Sequence, residues 1–521
     1  MMSRSLLAAL TGAALLFHPL LARAAPAGGT PPPPAPAPEA APPEPAPAPA
    51  EAPAPEAEEA LPAAPEKVDP HLFDEALKKY FSGNPRGAAG PLFAWLSAAP
   101  RTDDNYAWAQ YFLARSLVDL GLTHAGATYL SRIARERSNP NVLPRALEAL
   151  RELTDRPHDE VMIDEQVFGA MDLGFLEQEA GAYAHYQQGL VDLRVGNERW
   201  AHTHFDKLEP TSAEASRAKF ALLVTRLRTV KEPPDELIND FLTLSQDEKL
   251  TREARNEAAL AVARLRYERT DYPAALEAYS LVKLPMLDPG RATLYLEEAW
   301  TRYKLGELRA SLGILTTLDA PSFRDEFLPD KYLLRALIYR DLCHYLPAKR
   351  AAKELTRRFA DSLESIHARE DLTQDVRLRR AAAAHGSTQR AARFKELLEL
   401  ESERLGRYAG SFGERFQGHL TKLYALSLAE SERVYQARLS EAVRQEADTL
   451  LRAAEQVRLM EYEVGLKLYE RVKKGAKAVV PPEEELLSPS QVAFRFGGEY
   501  WNDELRDYRV HIESRCIEET P

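Results

Sequence analysis

The stretch AYAHYQQGLVDLRVGNERWAHTHFDKLEP, residues 182–210, decides the fold. Gly189 is followed after seven positions by Gly196, after twelve by Ala201 and after sixteen by Phe205. Two short antiparallel helices approach closely only where both carry small side chains at the crossing, because larger ones push the axes apart. A glycine ends the first helix easily, since it enters the left-handed conformation without a Cβ penalty. The stretch therefore reads as helix, turn, helix, with Gly189 and Ala201 at the crossing and Phe205 in the core.

The pair of small residues recurs twelve apart at Ala76/Ala88, Ala114/Gly126, Gly189/Ala201, Ala263/Ala275, Ala299/Ser311 and Ala336/Ala348. Successive second members lie 38, 75, 74, 36 and 37 residues apart. Two gaps are double, so two degenerate units are expected near 163 and 238, where Arg151/Ile163 and Arg226/Ile238 replace the pair. Eight units then fill 67–365. Gly83, Gly121, Gly196 and Gly306 fall at the turn, and Leu92, Leu130, Phe205, Tyr279 and Leu315 fall four positions after the second small residue.

This order of small residue, turn glycine, small residue and bulky residue resembles the tetratricopeptide repeat (TPR) family over about 300 residues, with a period of 36–38 in place of about 34. The resemblance implies an all-α, TPR-like right-handed solenoid of helix hairpins, whose inner wall is lined by the first helix of each hairpin.

The flanks differ from the repeats. Residues 1–25 read as a signal peptide: Arg4, an apolar run from Leu6 to Leu21, then Ala22-Arg23-Ala24 as a cleavage site. Residues 26–66 form a Pro/Ala/Glu-rich linker with 16 prolines up to Pro65. Such a segment buries too little apolar area to fold and favours an extended path. Residues 366–478 read as one or two long helices, interrupted upstream at Gly406, Gly410, Gly413 and Gly418. Val443, Leu450, Val457 and Val464 repeat every seven residues, thickened by Leu439, Ala447, Ala454 and Leu468. That seam suits a helix packed back on the repeats as a cap, or else a coiled coil. Residues 479–521 read as a β-hairpin tail, with VAFRF (492–496) and YRVHIES (508–514) alternating apolar and polar residues. Tyr500 and Trp501 between them form a possible binding loop or pin the tail to the long helix.

The net charge of the 521 residues is −12, which argues against nucleic acid as a partner. Cys343 and Cys516 are the only cysteines. They exclude an all-cysteine zinc site and leave room for one disulfide in an oxidising compartment. No Walker loop, G-x-G-x-x-G, H-E-x-x-H or G-x-S-x-G motif occurs. His202 and His204 point to different helix faces, His185 reads as a packed or groove histidine, and Glu297-Glu298 reads as solvated surface. The expectation is a protein that is not an enzyme and holds no cofactor or metal.

On the inner wall the expected partner-binding side chains are Trp108, Tyr111, Arg115, Tyr183, Tyr186 and Arg194 in the first half. In the second half they are Arg264, Tyr267, Trp300, Tyr303, Lys304 and Arg340. Aromatic and arginine side chains are the commonest interface anchors, and such a trough suits an extended peptide or a partner helix. The expected function is an exported scaffold, periplasmic or extracellular, soluble once cleaved, that helps assemble a cell-envelope complex. The signal, spacer, repeats and long helix resemble periplasmic adaptors of a bacterial gliding machinery. A coordinator of cell division or outer-membrane assembly is the alternative, and a peptidoglycan enzyme has too little chain outside the helices. The oligomeric state is left open, with a monomer favoured.

Overall fold

The computed structural model describes residues 70–473 apart from 138, 231 and 287, together with 497–501 and 505–516. The expected signal peptide (1–25), the expected linker (26–66) and the segment VAFRF (492–496) lie outside the described residues.

The described chain is all-α, and no strand occurs among the described residues. Helical hairpins follow one another: α1 (Pro70–Phe81) with α2 (Pro85–Ala98) and α3 (Tyr106–Asp119) with α4 (Thr123–Glu136), followed by α5 (Leu143–Thr154) and a π-helix (Val161–Gly169). Next come α6 (Gln178–Val195) with α7 (Glu198–Phe205), α8 (Ala213–Thr229) with α9 (Asp235–Ser245), and α10 (Arg252–Glu268) with α11 (Tyr272–Leu281). The series ends with α12 (Gly290–Leu305) and α13 (Leu308–Thr317), then α14 (Pro329–Asp341) and α15 (Tyr345–Arg358).

Both members of all six small-residue pairs are buried. In one pair the contact is a hydrogen bond, from the Ser311 hydroxyl to the Ala299 carbonyl at 2.7 Å. The two units without a pair pack differently. Helices α8 and α9 are in looser contact than the six paired hairpins, and the π-helix packs on α4 and α6 instead of on α5. Arg151 and Ile163, like Arg226 and Ile238, are too large for the close crossing that the paired units make.

The turn position is also shared. Gly83, Gly121, Gly196 and Gly306 have φ of +78°, +73°, +84° and +87°. In the two remaining paired hairpins the same position is held by Thr270 (φ +63°) and Cys343 (φ +57°).

After the hairpins come α16 (Ala360–Ala368), a 3₁₀ turn (Leu372–Gln374), α17 (Val376–Ala383), α18 (Gly386–Gly406), a short α19 (Ala409–Phe412) and α20 (Glu414–Lys473). The region is thus more divided than one or two helices. The chain breaks at Arg369 (φ +56°) and at Gly413 (φ +77°), whereas Gly418 lies inside α20 without interrupting it.

Helix α20 runs 60 residues and spans two cores. Its first turns join the N-terminal core, where the Phe416 ring stacks on Phe93 with centroids 4.4 Å apart. Its later turns join the C-terminal core, where Val443, Leu450, Val457 and Val464 are buried beside residues of α14, α15 and α17. The seven-residue seam is therefore consumed within the chain. Among the described residues no helix is long and apolar enough to cross a membrane.

The end of α18 clasps the α3–α4 turn. Arg404 donates to the Gly121 carbonyl at 2.6 Å and the Tyr408 hydroxyl donates to that of Leu120 at 3.0 Å. The buried Glu401 carboxylate accepts from the backbone N–H groups of Thr123 (2.8 Å) and His124 (3.0 Å) and from the Tyr424 hydroxyl (2.7 Å). A carboxylate at a helix N-terminus meets unpaired N–H groups and the positive end of the helix dipole, so Glu401 caps α4 from another part of the chain.

The expected terminal β-hairpin is corrected for its described part. Residues 505–507 form a turn, and 508–516 run on as a strap without helix or strand pairing. Tyr508, Val510 and Ile512 alternate as expected, but they turn toward the helical C-terminal core instead of a sheet face. Val510 donates its N–H to the Arg309 carbonyl at 3.2 Å, Arg309 donates to the Ile512 carbonyl at 3.1 Å, and Arg515 donates its N–H to the Leu342 carbonyl at 2.9 Å. At Gly313 the strap comes so near that an added Cβ would stand 1.6 Å from the Tyr508 carbonyl oxygen. Cys343 and Cys516 form a disulfide that fixes the end of the strap to the α14–α15 turn.

Candidate functional site

Helices α1 and α3 lie side by side, and their facing side chains are rings. Tyr80 and Phe81 from α1 meet Phe112 from α3 at centroid distances of 5.3 and 5.4 Å. Trp108 stacks on Phe112 at 5.9 Å and meets Tyr111 edge-on at 6.2 Å. On α3, residues 108, 111, 112 and 115 share one face, because three and four residues return to the same side of a helix. The Arg145 guanidinium of α5 lies 5.6 Å from the Trp108 ring centre, a cation–π contact. Arg115 closes the patch through Glu152 at 2.7 Å.

The patch is not sealed. Phe81 is 71% exposed, Arg145 is exposed, and Trp108, Tyr111 and Phe112 are half-buried. Burial pushes the Tyr80 and Tyr111 hydroxyls upward, so both stay protonated and able to donate. Rings held rigidly by neighbours and rimmed by arginines offer contact area at low entropic cost, the composition of interface hot spots. Trp108, Tyr111 and Arg115 belong to the expected set. Tyr80, Phe81, Phe112 and Arg145 were missed, although Tyr80-Phe81 stands just before the turn glycine Gly83 and could have been read from that spacing.

The other expected inner-wall residues serve a different role. Tyr183 and Tyr186 are buried, Tyr183 edge-on to Phe168 at 5.3 Å and Tyr186 beside Phe205 at 6.5 Å. They share the face of α6 that packs on its neighbours, so neither is open to a partner. Trp300 is buried too, edge-on to Tyr303 at 5.9 Å. Tyr267 is half-buried against Tyr272.

The charged members mostly tie one unit to the next. Arg194 pairs with buried Asp164 at 3.0 Å, whose carboxyl is pushed up by burial against the pull of Arg194. Buried Arg264 makes a two-pronged pair with Glu297 at 2.7 and 3.0 Å. The Tyr303 hydroxyl donates to Asp341 at 2.6 Å, and Arg340 pairs with Glu463 of α20 at 3.1 Å. Lys304 is exposed, 5.7 Å from the Tyr303 ring centre. Glu297 and Glu298 are therefore not solvated surface. Both are buried, Glu297 against Arg264 and Glu298 against Arg506 of the strap.

In the strap region Trp501 is exposed, while Tyr500 packs toward the C-terminal core and lies 6.3 Å from the Tyr508 ring. His185 and His204 meet across the α6–α7 hairpin with Nδ1 atoms 3.0 Å apart, and burial lowers both pKa values. Among the described residues no group of three or more His, Cys, Asp or Glu is placed to hold a metal.

No family model matches this chain, and no curated protein matches it.

Proposed function

We propose that this chain is an exported, TPR-like scaffold that captures a protein partner on the aromatic and arginine patch of α1, α3 and α5, and so helps assemble a cell-envelope complex. The observation that carries this reading is the cluster of Phe81, Trp108, Tyr111 and Phe112, which leaves rings in contact with water at one end of the hairpin series. Exposing such rings is costly unless a partner covers them. The recurring hairpins favour a right-handed solenoid, since each unit buries its apolar face on the next. The leader-like residues 1–25 support export. The Cys343–Cys516 bridge supports it too, because such bonds persist in oxidising compartments. Periplasmic adaptors of gliding-type machines remain the kind of protein that this organisation fits.

The test is chemical crosslinking in intact cells with the wild-type chain and with Trp108→Ala/Tyr111→Ala. Crosslinked protein adducts should form with the wild type and disappear with the double variant at equal helicity. Identical adduct patterns from both would refute the patch as the capture site.

A further inference from the structure

The C-terminal part of α20 is apolar on two opposite faces. One face holds Val457, Met460 and Val464 in the C-terminal core. On the other, Leu459, Tyr462, Leu466 and Tyr469 are 67, 68, 47 and 67% exposed, and Val472, 78% exposed, follows off to one side. At 100° per residue, Leu459, Tyr462, Leu466 and Tyr469 lie within about 60° of the direction opposite Val457. Their spacing of three, four and three residues is that of the a and d positions of a coiled coil. Elsewhere in the described chain exposed large apolar side chains are scattered, and only here do five gather within fourteen residues of one helix.

We propose that this face pairs with the same face of a second copy of the chain, in a parallel and in-register two-helix contact. Three features select that occupant. The spacing itself is the pattern by which one helix packs knobs into the holes of another helix. Beside the stripe, a Cβ added to Gly465 would meet nothing within 4 Å, which lets a second helix approach closely there. The flanking charges choose the orientation. With Leu459 and Leu466 at a, Arg458 occupies g and Glu463 and Glu470 occupy e. A parallel pair sets Arg458 of each copy against Glu463 of the other, five residues on. An antiparallel pair would set Glu463 against Glu470, like charge against like. Glu463 pairs with Arg340 of its own chain at 3.1 Å yet keeps 58% of its side chain exposed, so it stays within reach of a second copy. Taking about 120 Å² for each of the four side chains of the stripe and its counterpart, the pair would bury on the order of 1,000 Å² in all, the size that a specific interface must reach.

The face differs from the aromatic patch in both position and occupant, so a dimer would present two patches at once. The experiment is sedimentation equilibrium on the mature full-length chain, with Leu466→Glu and Tyr462→Glu as separate variants. Wild type should sediment as a dimer and each variant as a monomer with unchanged helicity. Orientation is read by oxidising Leu459→Cys, because both native cysteines are already joined to each other. In the parallel register position 459 faces its own copy and a covalent dimer forms. In the antiparallel register it lies beside Tyr469 of the other copy, too far to bridge. Leu426→Cys, exposed earlier on α20, is the control that should stay uncrosslinked. A monomeric wild type, as expected if residues 474–496 or another protein cover the face, overturns the proposal. So does a dimer in which Leu459→Cys fails to crosslink or Leu426→Cys crosslinks equally.

Discussion

Gly189 faces the ring of Phe205, and a Cβ built on that glycine would stand 2.3 Å from Phe205 Cε1. The first helix of the hairpin is thus held at a distance that only a hydrogen atom permits. Gly189→Leu should push α6 and α7 apart and destabilise the protein by about 3 kcal/mol or more, the upper range for overpacking. Urea unfolding followed by circular dichroism checks this. A neutral outcome would mean that the crossing is not where the structure puts it.

Thr270 occupies the left-handed turn position that glycine fills in four other hairpins. A β-branched residue there strains its backbone against its own Cβ. Thr270→Gly should therefore stabilise the protein by about 1 kcal/mol, a rise in thermal midpoint from a change that removes side-chain atoms. Ala at the same site should bring less gain, since it retains the Cβ.

Two of the inter-unit ion pairs, Arg264–Glu297 and Arg115–Glu152, differ in burial, and their deletion costs should differ with it. Both Arg264 and Glu297 are buried, so Glu297→Ala strands a guanidinium away from water and should cost about 3–5 kcal/mol. Glu152 of the Arg115 pair is 61% exposed, and Glu152→Ala should cost less than about 1 kcal/mol. Equal costs in denaturant titrations would contradict this assignment.

His124 reports on the junction between α4 and α20. Its ring meets the Ser427 hydroxyl at 2.7 Å, and burial lowers its pKa from 6.5 to about 4, against a weaker pull from Asp159. A depressed pKa means that folding favours the neutral form. The contribution is complete above pH 6.5, declines below it and is lost as the pH falls through 4. The full shift corresponds to about 3 kcal/mol. His124→Gln should lower the thermal midpoint at pH 7.5, and the gap from wild type should close as the pH falls toward 4. A gap that stays constant with pH would exclude the linkage.

The hairpins could be read in the sequence because their crossings demand small side chains at a fixed spacing, as at Ala299 and Ser311. Turns were readable where glycine marks them and hidden at Thr270 and Cys343, where another residue accepts the same backbone shape. The seam Val443, Leu450, Val457 and Val464 was readable as a seam, but a period cannot say what covers it. The site was legible only at one end. Trp108, Tyr111 and Arg115 lie on an open face, whereas Tyr183, Tyr186, Arg264 and Trp300 lie on faces that neighbouring helices cover. One residue along a helix turns a side chain by 100°, so the direction of each needs the packed partner as well as the repeat. The strap was missed because Tyr508, Val510 and Ile512 alternate as a strand would, and nothing local tells a helix surface from a sheet edge as their support.

The central functional claim is that the partner meets the open rings of α1 and α3. A photo-crosslinking amino acid placed at Phe81, and separately at Val376, 80% exposed on α17, tests it in living cells. Position 81 should yield discrete protein adducts that vanish when Trp108→Ala and Tyr111→Ala are added, and position 376 should yield none of them. Adducts shared by both positions, or absent from position 81, would contradict the account.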